Sequence, residues 1–315
     1  MALSISELNT VSKKYFETGI KQQAYDLSPF YAYLKAKKKI RYSGGTSIQF
    51  PIRYRKFNKG GGQAARQQVV FQSYPTRTAG DVAWKYYIVP TMMHWDEKAK
   101  NAGVGQIVDL LKDKTQEQKE EMADQLATDL YATTQGTYDI DPLSTMVDSS
   151  TTYAGIAVAD AANWASQEST ATTLLIDGQY SLNYYRNLCT FGRYKPTHHF
   201  TTRNLASKYE SLLTPNVRYE DKMMANLGFD NVTFHGKPVI GDYYCTDNYW
   251  YGLDMEQFEL VVHSDYDMDY GKGWFSLEQA GFPYSVGRTM AFMGNPICRM
   301  RKTSFKFTAL DYTKA

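Results

Sequence analysis

Apolar and polar positions alternate strictly after Gly44-Gly45. Ile48, Phe50, Ile52 and Tyr54 fall on one face and Gln49, Pro51, Arg53 and Arg55 on the other. That period belongs to a half-buried strand, and Pro51 marks an edge position. A second alternating run places Val82, Trp84, Tyr86 and Ile88 on one face, with Lys85 and Tyr87 opposite. The stretch between them, Phe57 to Gly80, is Gly-rich and basic and includes Lys59-Gly60-Gly61-Gly62. Two strands and a flexible tip predict an extended hairpin, and such a ribbon is marginal in water without further packing.

The period then changes to that of a helix, over 104–132, which would be ~43 Å long. Its apolar residues sit at the ends, Ile107, Val108, Leu110 and Leu111, then Met122, Leu126 and Leu130. Its middle, Lys112 to Glu121, has no apolar side chain, and Asp109/Asp113 and Glu117/Glu121 are like pairs at i,i+4. A polar waist with two apolar ends predicts a rod that bridges two packing sites across an open surface. Neighbouring structure must stabilise it.

Before the hairpin, residues 1–42 read as a weakly ordered arm with helical pieces. One carries Leu8, Val11, Tyr15 and Phe16 behind a Ser4 or Ser6 cap. Another opens at Ser28-Pro29, with Phe30, Tyr33 and Leu34 on one face and Lys37, Lys38 and Lys39 at its end. After Gly136 the pattern is mixed α+β. It predicts helices over 182–188 and from Thr202 to Leu213, a strand over 197–201, and paired strands around Gly236-Lys237-Pro238. Further strands are expected over 258–262, 286–293 and 304–310, the last with Phe305 and Phe307 on one face.

Charge adds an asymmetry that the pattern alone does not show. Through Arg66 there are thirteen Lys and Arg against Glu7, Glu17 and Asp26, which leaves 22 basic against 30 acidic residues in the rest of the chain. Opposite charge on two parts of one chain suits head-to-tail contact between identical copies. A solvated basic arm and a nucleic-acid contact are the other readings. The 43% hydrophobic and 15% aromatic content is that of a globular chain, and 26 tyrosines suit contact surfaces that are part apolar and part wet. Cys189, Cys245 and Cys298 form no metal spacing or disulfide framework, and the N-terminus lacks the apolar core of a signal peptide. A soluble protein made in a cytoplasm is expected, with no membrane partner.

The candidate chemistry is thin. Lys59-Gly-Gly-Gly lacks the ending of a phosphate loop. His198 and His199 diverge on a strand and cannot chelate one metal. Asp265-x-Asp267-x-Asp269 resembles the start of a calcium loop, but Gly271 is one place late and Ser276 stands where the bidentate glutamate belongs, so a solvated turn is expected. No catalytic constellation, cofactor or metal is expected; the chain reads as a non-enzyme.

Several stretches together resemble a known family: GGTSIQFPIRY (44–54), WKYYIVPTMMHWDE (84–97), HFTTRNLASKYESL (199–212), NVTFHGKPVIGD (231–242), FSLEQAGFPY (275–284) and RKTSFKFTAL (301–310). With the order of arm, edge hairpin, long helix and mixed body, they resemble the tailed-bacteriophage major capsid proteins of the HK97-type fold. The resemblance implies an α+β fold with an N-terminal arm (1–42), an extended loop (43–99), and a peripheral domain (100–189) with a spine helix at 104–132. Residues 190–290 would be mainly the axial domain, and 291–315 would return to the peripheral domain. It implies a homo-oligomer of hexamers and pentamers in an icosahedral virion shell around double-stranded DNA held by non-specific contacts. A portal at one vertex and a separate scaffolding protein would be partners, with assembly in the bacterial host cytoplasm.

Inter-subunit contact is then expected from Ile48, Phe50, Ile52, Arg53, Tyr54, Arg55, Lys56, Lys59, Arg66, Trp84 and Tyr86 of the loop. In the arm it is expected from Tyr15, Phe16, Phe30, Tyr33, Lys37, Lys38 and Lys39. Ile107, Leu111, Met122, Leu126 and Leu130 would pack the spine helix. A few family members crosslink through a loop lysine; Lys56 and Lys59 lie in that region, though ordinary salt bridges are the simpler expectation. An encapsulin-type compartment shell and a basic-arm nucleic-acid-binding protein are the alternatives.

Overall fold

The computed structural model describes residues 28–314 apart from 55–60, 63, 67, 69, 70, 72, 74, 95, 98–109, 160, 214–230, 272 and 273. The expected first helix with Tyr15 and Phe16, the loop residues Arg55, Lys56 and Lys59, and Ile107 lie outside the described residues, as does the side chain of Leu111.

Helix α1 (Pro29–Lys37) starts where its capping chemistry predicts. Ser28 Oγ accepts from Tyr31 N–H at 3.3 Å, and Pro29 occupies the first turn, where its missing N–H costs nothing. Strands β1 (Lys39–Tyr42), β2 (Ile48–Arg53), β3 (Arg77–Val82) and β4 (Lys85–Met93) follow. The long helix α2 is described over Leu110–Leu130, and Tyr131 and Ala132 close it with bonds to the carbonyls of Thr128 and Asp129. Next come α3 (Leu143–Met146), β5 (Gln167–Ser169), α4 (Leu182–Leu188), β6 (His198–Thr201) and α5 (Arg203–Leu212). Ser181 and Thr202 cap α4 and α5 by accepting from Tyr184 N–H and Leu205 N–H.

Strands β7 (Asn231–Phe234) and β8 (Lys237–Gly241) form a hairpin across His235-Gly236, both with positive φ (51° and 69°). That turn geometry matches the right-handed twist of the strands. The remaining strands are β9 (Trp250–Leu253), β10 (Phe258–Asp269), β11 (Phe275–Ser276), β12 (Val286–Cys298) and β13 (Phe305–Phe307).

One expectation is corrected here. The run from Val82 to Ile88, read as one strand, is two, broken at Ala83-Trp84. Strand β3 pairs with β2, whereas β4 pairs with β12. Val82 and Trp84 are buried, but Tyr86 and Ile88 are 64% and 66% exposed. The Trp84 indole N–H donates to Gly45 O at 3.0 Å and pins the break. A change of partner strand turns the alternation over, which periodicity alone does not reveal.

The chain divides into two units. The larger comprises Leu27–Tyr87, Ala123–Asp269 and Ala291–Ala315; the smaller includes Ile88–Met122 and Tyr270–Met290. In the larger, a mixed six-stranded sheet has the order β5-β13-β9-β6-β8-β7. Leu182, Tyr185 and Cys189 of α4 and Leu205 and Tyr209 of α5 pack with Phe234, Trp250, Phe305 and Phe307 of this sheet. Gly252 stands opposite Phe305, and a Cβ there would lie 2.4 Å from its ring, so the absence of a side chain on β9 gives the ring its place. Also in this unit, β10 lies between parallel β1 and antiparallel β12, which pair Lys39 with Leu260 and Phe258 with Cys298.

In the smaller unit β11 pairs with the start of β12, Phe275 with Gly287 and Ser276 with Val286. Here α2 corrects a second expectation. Its polar waist does not cross an open surface: Gln118 is 2% exposed, and its amide donates to Val89 O (3.0 Å) and Arg288 O (3.3 Å). A buried amide carrying strand carbonyls replaces the apolar contacts that the sequence lacks.

Candidate assembly surfaces

The arm, the ribbon and the long helix are the three places where the sequence leads one to look for contact between copies. The described part of the arm sends Ser28, Phe30, Tyr31 and Leu34 into the larger unit's interior. Phe30 is fully buried, its ring 4.9 Å from Phe200 and 6.4 Å from Phe258. Ser28 Oγ donates to Asp242 Oδ2, which also accepts from the Tyr131 hydroxyl at 3.0 Å. Burial pushes the Asp242 carboxyl up, and these donors with the Tyr244 and Phe30 N–H groups act against it. Lys39 and Arg41 both bind Asp267, at 2.5 and 2.8 Å.

Phe30 is therefore corrected as an inter-subunit contact, because it is core; Lys39 is half-buried and ion-paired within its own chain. Tyr33 is half-buried with its ring 4.9 Å from His198, Lys38 is half-buried and Lys37 is exposed. The three acids read as a turn are part of β10 instead. Register shifts between Val262 and Asp267 and between Asp267 and Asp269 separate them, and Asp267 is occupied by the two cations. Among the described residues no group of three or more His, Cys, Asp or Glu is placed to hold a metal ion.

The ribbon of β2 and β3 requires the largest correction. Ile48, Phe50, Ile52 and Trp84 were expected to bury themselves on a neighbour. They are 2%, 2%, 7% and 6% exposed in the single chain, so their apolar surface is already spent. Gly80 makes room for this face, since a Cβ there would lie 2.9 Å from Ile52 and 3.0 Å from Phe50. Edge contact with the body comes through Asp81 N–H to Ala154 O at 3.0 Å. What the ribbon offers outward is its other face, Gln49, Pro51 and Arg53 on β2 and Arg77, Ala79 and Asp81 on β3, all exposed. Arg66 is exposed with φ of 70°, Tyr54 is half-buried, and Tyr86 is exposed on β4.

On α2, Met122, Leu126 and Leu130 are buried, at 0%, 1% and 1% exposure. The opposite stripe carries Asp113, Glu117, Glu120 and Glu121. Burial, followed by Glu117, raises the carboxyl of Asp113, with Lys114 acting against it. The smaller unit also exposes Phe275, Phe282 and Tyr284 around the β11 turn, while the Arg288 guanidinium stacks 3.3 Å from the centre of the Tyr270 ring.

Sequence reading missed a set of buried charges. Arg301 is fully buried and donates to the carbonyls of Thr145, Met146, Asp148 and Thr151. Lys306 is 4% exposed and donates to Ser144 O (3.0 Å) and Asp148 Oδ2 (2.7 Å). Lying between Phe305 and Phe307, Lys306 reads as the outward residue of an alternating strand; the burial of both faces has no local signal. His199 is fully buried and held neutral, its pKa lowered to about 3 by burial and then by His198, and its Nδ1 accepts from the Trp250 indole at 3.3 Å. His198 faces elsewhere, against Tyr33, so the two imidazoles do diverge.

No protein-family model matches the chain, and no curated protein matches it in sequence. Solved structures match over its whole length. The capsid asymmetric unit of cyanophage A-1(L) superposes with a TM-score of 0.72 at 14% identity, covering 97% of this chain and 99% of that one. The capsid of the native GTA particle gives 0.65 at 9% identity, covering 99% and 100%. The holo-SrpI encapsulin complex from Synechococcus elongatus PCC 7942 gives 0.61 at 8% identity, covering 100% and 98%. The chain has the HK97-type capsid fold, the α+β architecture of the tailed-phage major capsid proteins it resembles.

Proposed function

We propose that this chain is the major capsid protein of a tailed phage, whose copies assemble as hexamers and pentamers into an icosahedral shell enclosing double-stranded DNA in the virion. The observation that carries the reading is the match of its fold to capsid subunits from end to end, 97% of this chain on 99% of the cyanophage subunit. On this reading residues 1–42 are the arm, 43–99 the extended loop, 104–132 the spine helix of the peripheral domain (100–189) and 190–290 mainly the axial domain. A scaffolding protein guides assembly in the host cytoplasm and a portal occupies one vertex. The buried apolar face of the ribbon removes one expected source of adhesion, so the subunits adhere through its outward face, including Arg53, with Arg66 of the loop and Tyr86 of β4 also in contact. Each contact is weak by itself, and repetition over a closed lattice makes the shell stable.

A protein shell that holds an enzyme cargo is the second reading, favoured by the full-length match to the SrpI encapsulin. Expression of the full chain, alone and with its phage's assembly genes, followed by electron microscopy and nuclease treatment, tests both. Closed shells with nuclease-protected DNA are expected. Shells filled with protein and free of DNA would favour the compartment, and a chain that stays monomeric under every condition would end both.

A further inference from the structure

The ribbon sets two arginines face to face. In its antiparallel ladder Arg53 lies opposite Arg77, Pro51 opposite Ala79 and Gln49 opposite Asp81. Tyr54 N–H donates to Thr76 O at 3.2 Å, which makes 54/76 a hydrogen-bonded pair. Residues 53 and 77 are therefore a non-hydrogen-bonded pair, in which side chains stand closest. Like charges directly opposite one another weaken a ribbon, and a two-stranded ribbon has little stability to lose. Among the described residues neither arginine makes an ion pair. Beside them the small side chains of Pro51 and Ala79 help form an open concavity of about 390 Å³, bordered by Gln49, Arg77 and Thr78.

The opposite imbalance lies on α2. Asp113, Glu117, Glu120 and Glu121 follow at i, i+4, i+7 and i+8 and share one stripe, where like charges repel. Lys114 reaches Glu117 at 3.3 Å, and Glu117 remains half exposed. Each surface repels itself in the lone chain, and bringing the two together relieves both. The same sign holds for the chain at large: thirteen basic against three acidic residues through Arg66, and 22 against 30 beyond.

We propose that Arg53 and Arg77 form a clamp for carboxylates of a second copy of this chain, with Glu117 on the acidic stripe of α2 as the principal occupant. The planar guanidinium fork matches a carboxylate in two parallel hydrogen bonds, which selects arginine over lysine here. The proposal rests on the reading of the chain as a shell subunit and names the chemistry of one of its contacts.

A charge swap in the full chain tests it. Arg53→Glu with Arg77→Glu lowers shell yield by about tenfold or more at physiological salt, and adding Glu117→Arg and Glu121→Arg restores it. Arg77→Thr moves two readouts in opposite directions: the isolated subunit melts at a higher temperature, because the repulsion across the ribbon is gone, while assembly falls. Arginine-free variants that assemble like the parent, or a swapped set that does not recover, overturn the clamp.

If the parent chain forms no shells, the shell reading fails separately and the clamp is judged by disulfide trapping. Copies with Arg77→Cys are mixed at high concentration with copies bearing Glu117→Cys, with oxidised glutathione as the oxidant; the native thiols of Cys189, Cys245 and Cys298 are buried and do not compete. A bond between unlike copies supports the clamp, and its absence overturns it. Loss of duplex DNA binding in Arg53→Glu with assembly unchanged would assign the arginines to phosphate and equally overturn it.

Discussion

Ser28 Oγ donates a 2.6 Å hydrogen bond to Oδ2 of the buried Asp242, 214 residues further along the chain. The same hydroxyl accepts from Tyr31 N–H and so starts α1, while Asp242 gathers Tyr131 from just beyond α2. One carboxylate thus fixes where the arm enters the body.

Ser28→Ala loses both the helix cap and a bond to a charged group, and is expected to cost about 1–2 kcal/mol. Asp242→Ala strands the Ser28 and Tyr131 hydroxyls and costs about 2–4 kcal/mol. Denaturant midpoints measure the size. Limited proteolysis locates the effect, with new cleavage expected in 28–38. A variant whose arm stays as resistant as the parent's would show that the Phe30 contacts alone hold it.

Lys306 and Asp148 form a pair in which removing one partner leaves the other exposed to its burial cost. Burial pushes the Asp148 carboxyl up, but Lys306 and the N–H groups of Ser150 and Thr151 outweigh it and hold the group well below the usual carboxylate range. Lys306→Met is expected to cost about 3–5 kcal/mol. A depressed carboxyl contributes stability that is present above its unfolded value of about 4 and is lost as pH falls below it. The parent should therefore lose stability on acidification by a component that Lys306→Met lacks, read from melting temperatures between pH 7 and pH 2.

Asp254 titrates in the opposite sense. It is 2% exposed, and its Oδ2 has no hydrogen-bond partner among the described residues. Burial pushes the carboxyl up to about 6 from 3.8, against the Glu256 N–H bond that lowers it and with the Glu256 charge adding to it. The folded state then holds the proton more tightly than the unfolded one. Its contribution is greatest below pH 4 and falls as pH rises through about 6. Asp254→Asn cannot ionise, so the stability difference between variant and parent should grow in the variant's favour by roughly 1–3 kcal/mol from pH 4 to pH 7. A difference that stays flat over that range would mean that Asp254 is ionised throughout.

Much of the element list was legible because its cues are local. Ser28-Pro29 and Thr202 each start a helix where their capping chemistry says they should. Alternation over Ile48–Arg53 and the pair Phe305 and Phe307 mark strands by period alone. Those same cues misread Val82–Ile88 as one strand, since both halves alternate and the exchange of partner leaves no trace in the spacing. The ribbon was legible as basic and alternating, but not which of its faces its own chain covers. Alternation says that Ile48, Phe50 and Ile52 share a face; it does not say whether that face is covered by the same chain or by another.

By itself the sequence determined the type of several elements, the polar waist of α2 and the charge imbalance between the first 66 residues and the rest. These follow from period, capping and composition, which act over a few residues. Tertiary structure alone decided that Phe30 is core, that Lys306 and Arg301 are buried, that Gln118 is held by two strand carbonyls and that Arg53 meets Arg77. Each depends on a partner brought close by the fold, such as Asp148 for Lys306 across 158 residues. The energy of burying a charge is set by that partner and not by the residues beside it in the chain.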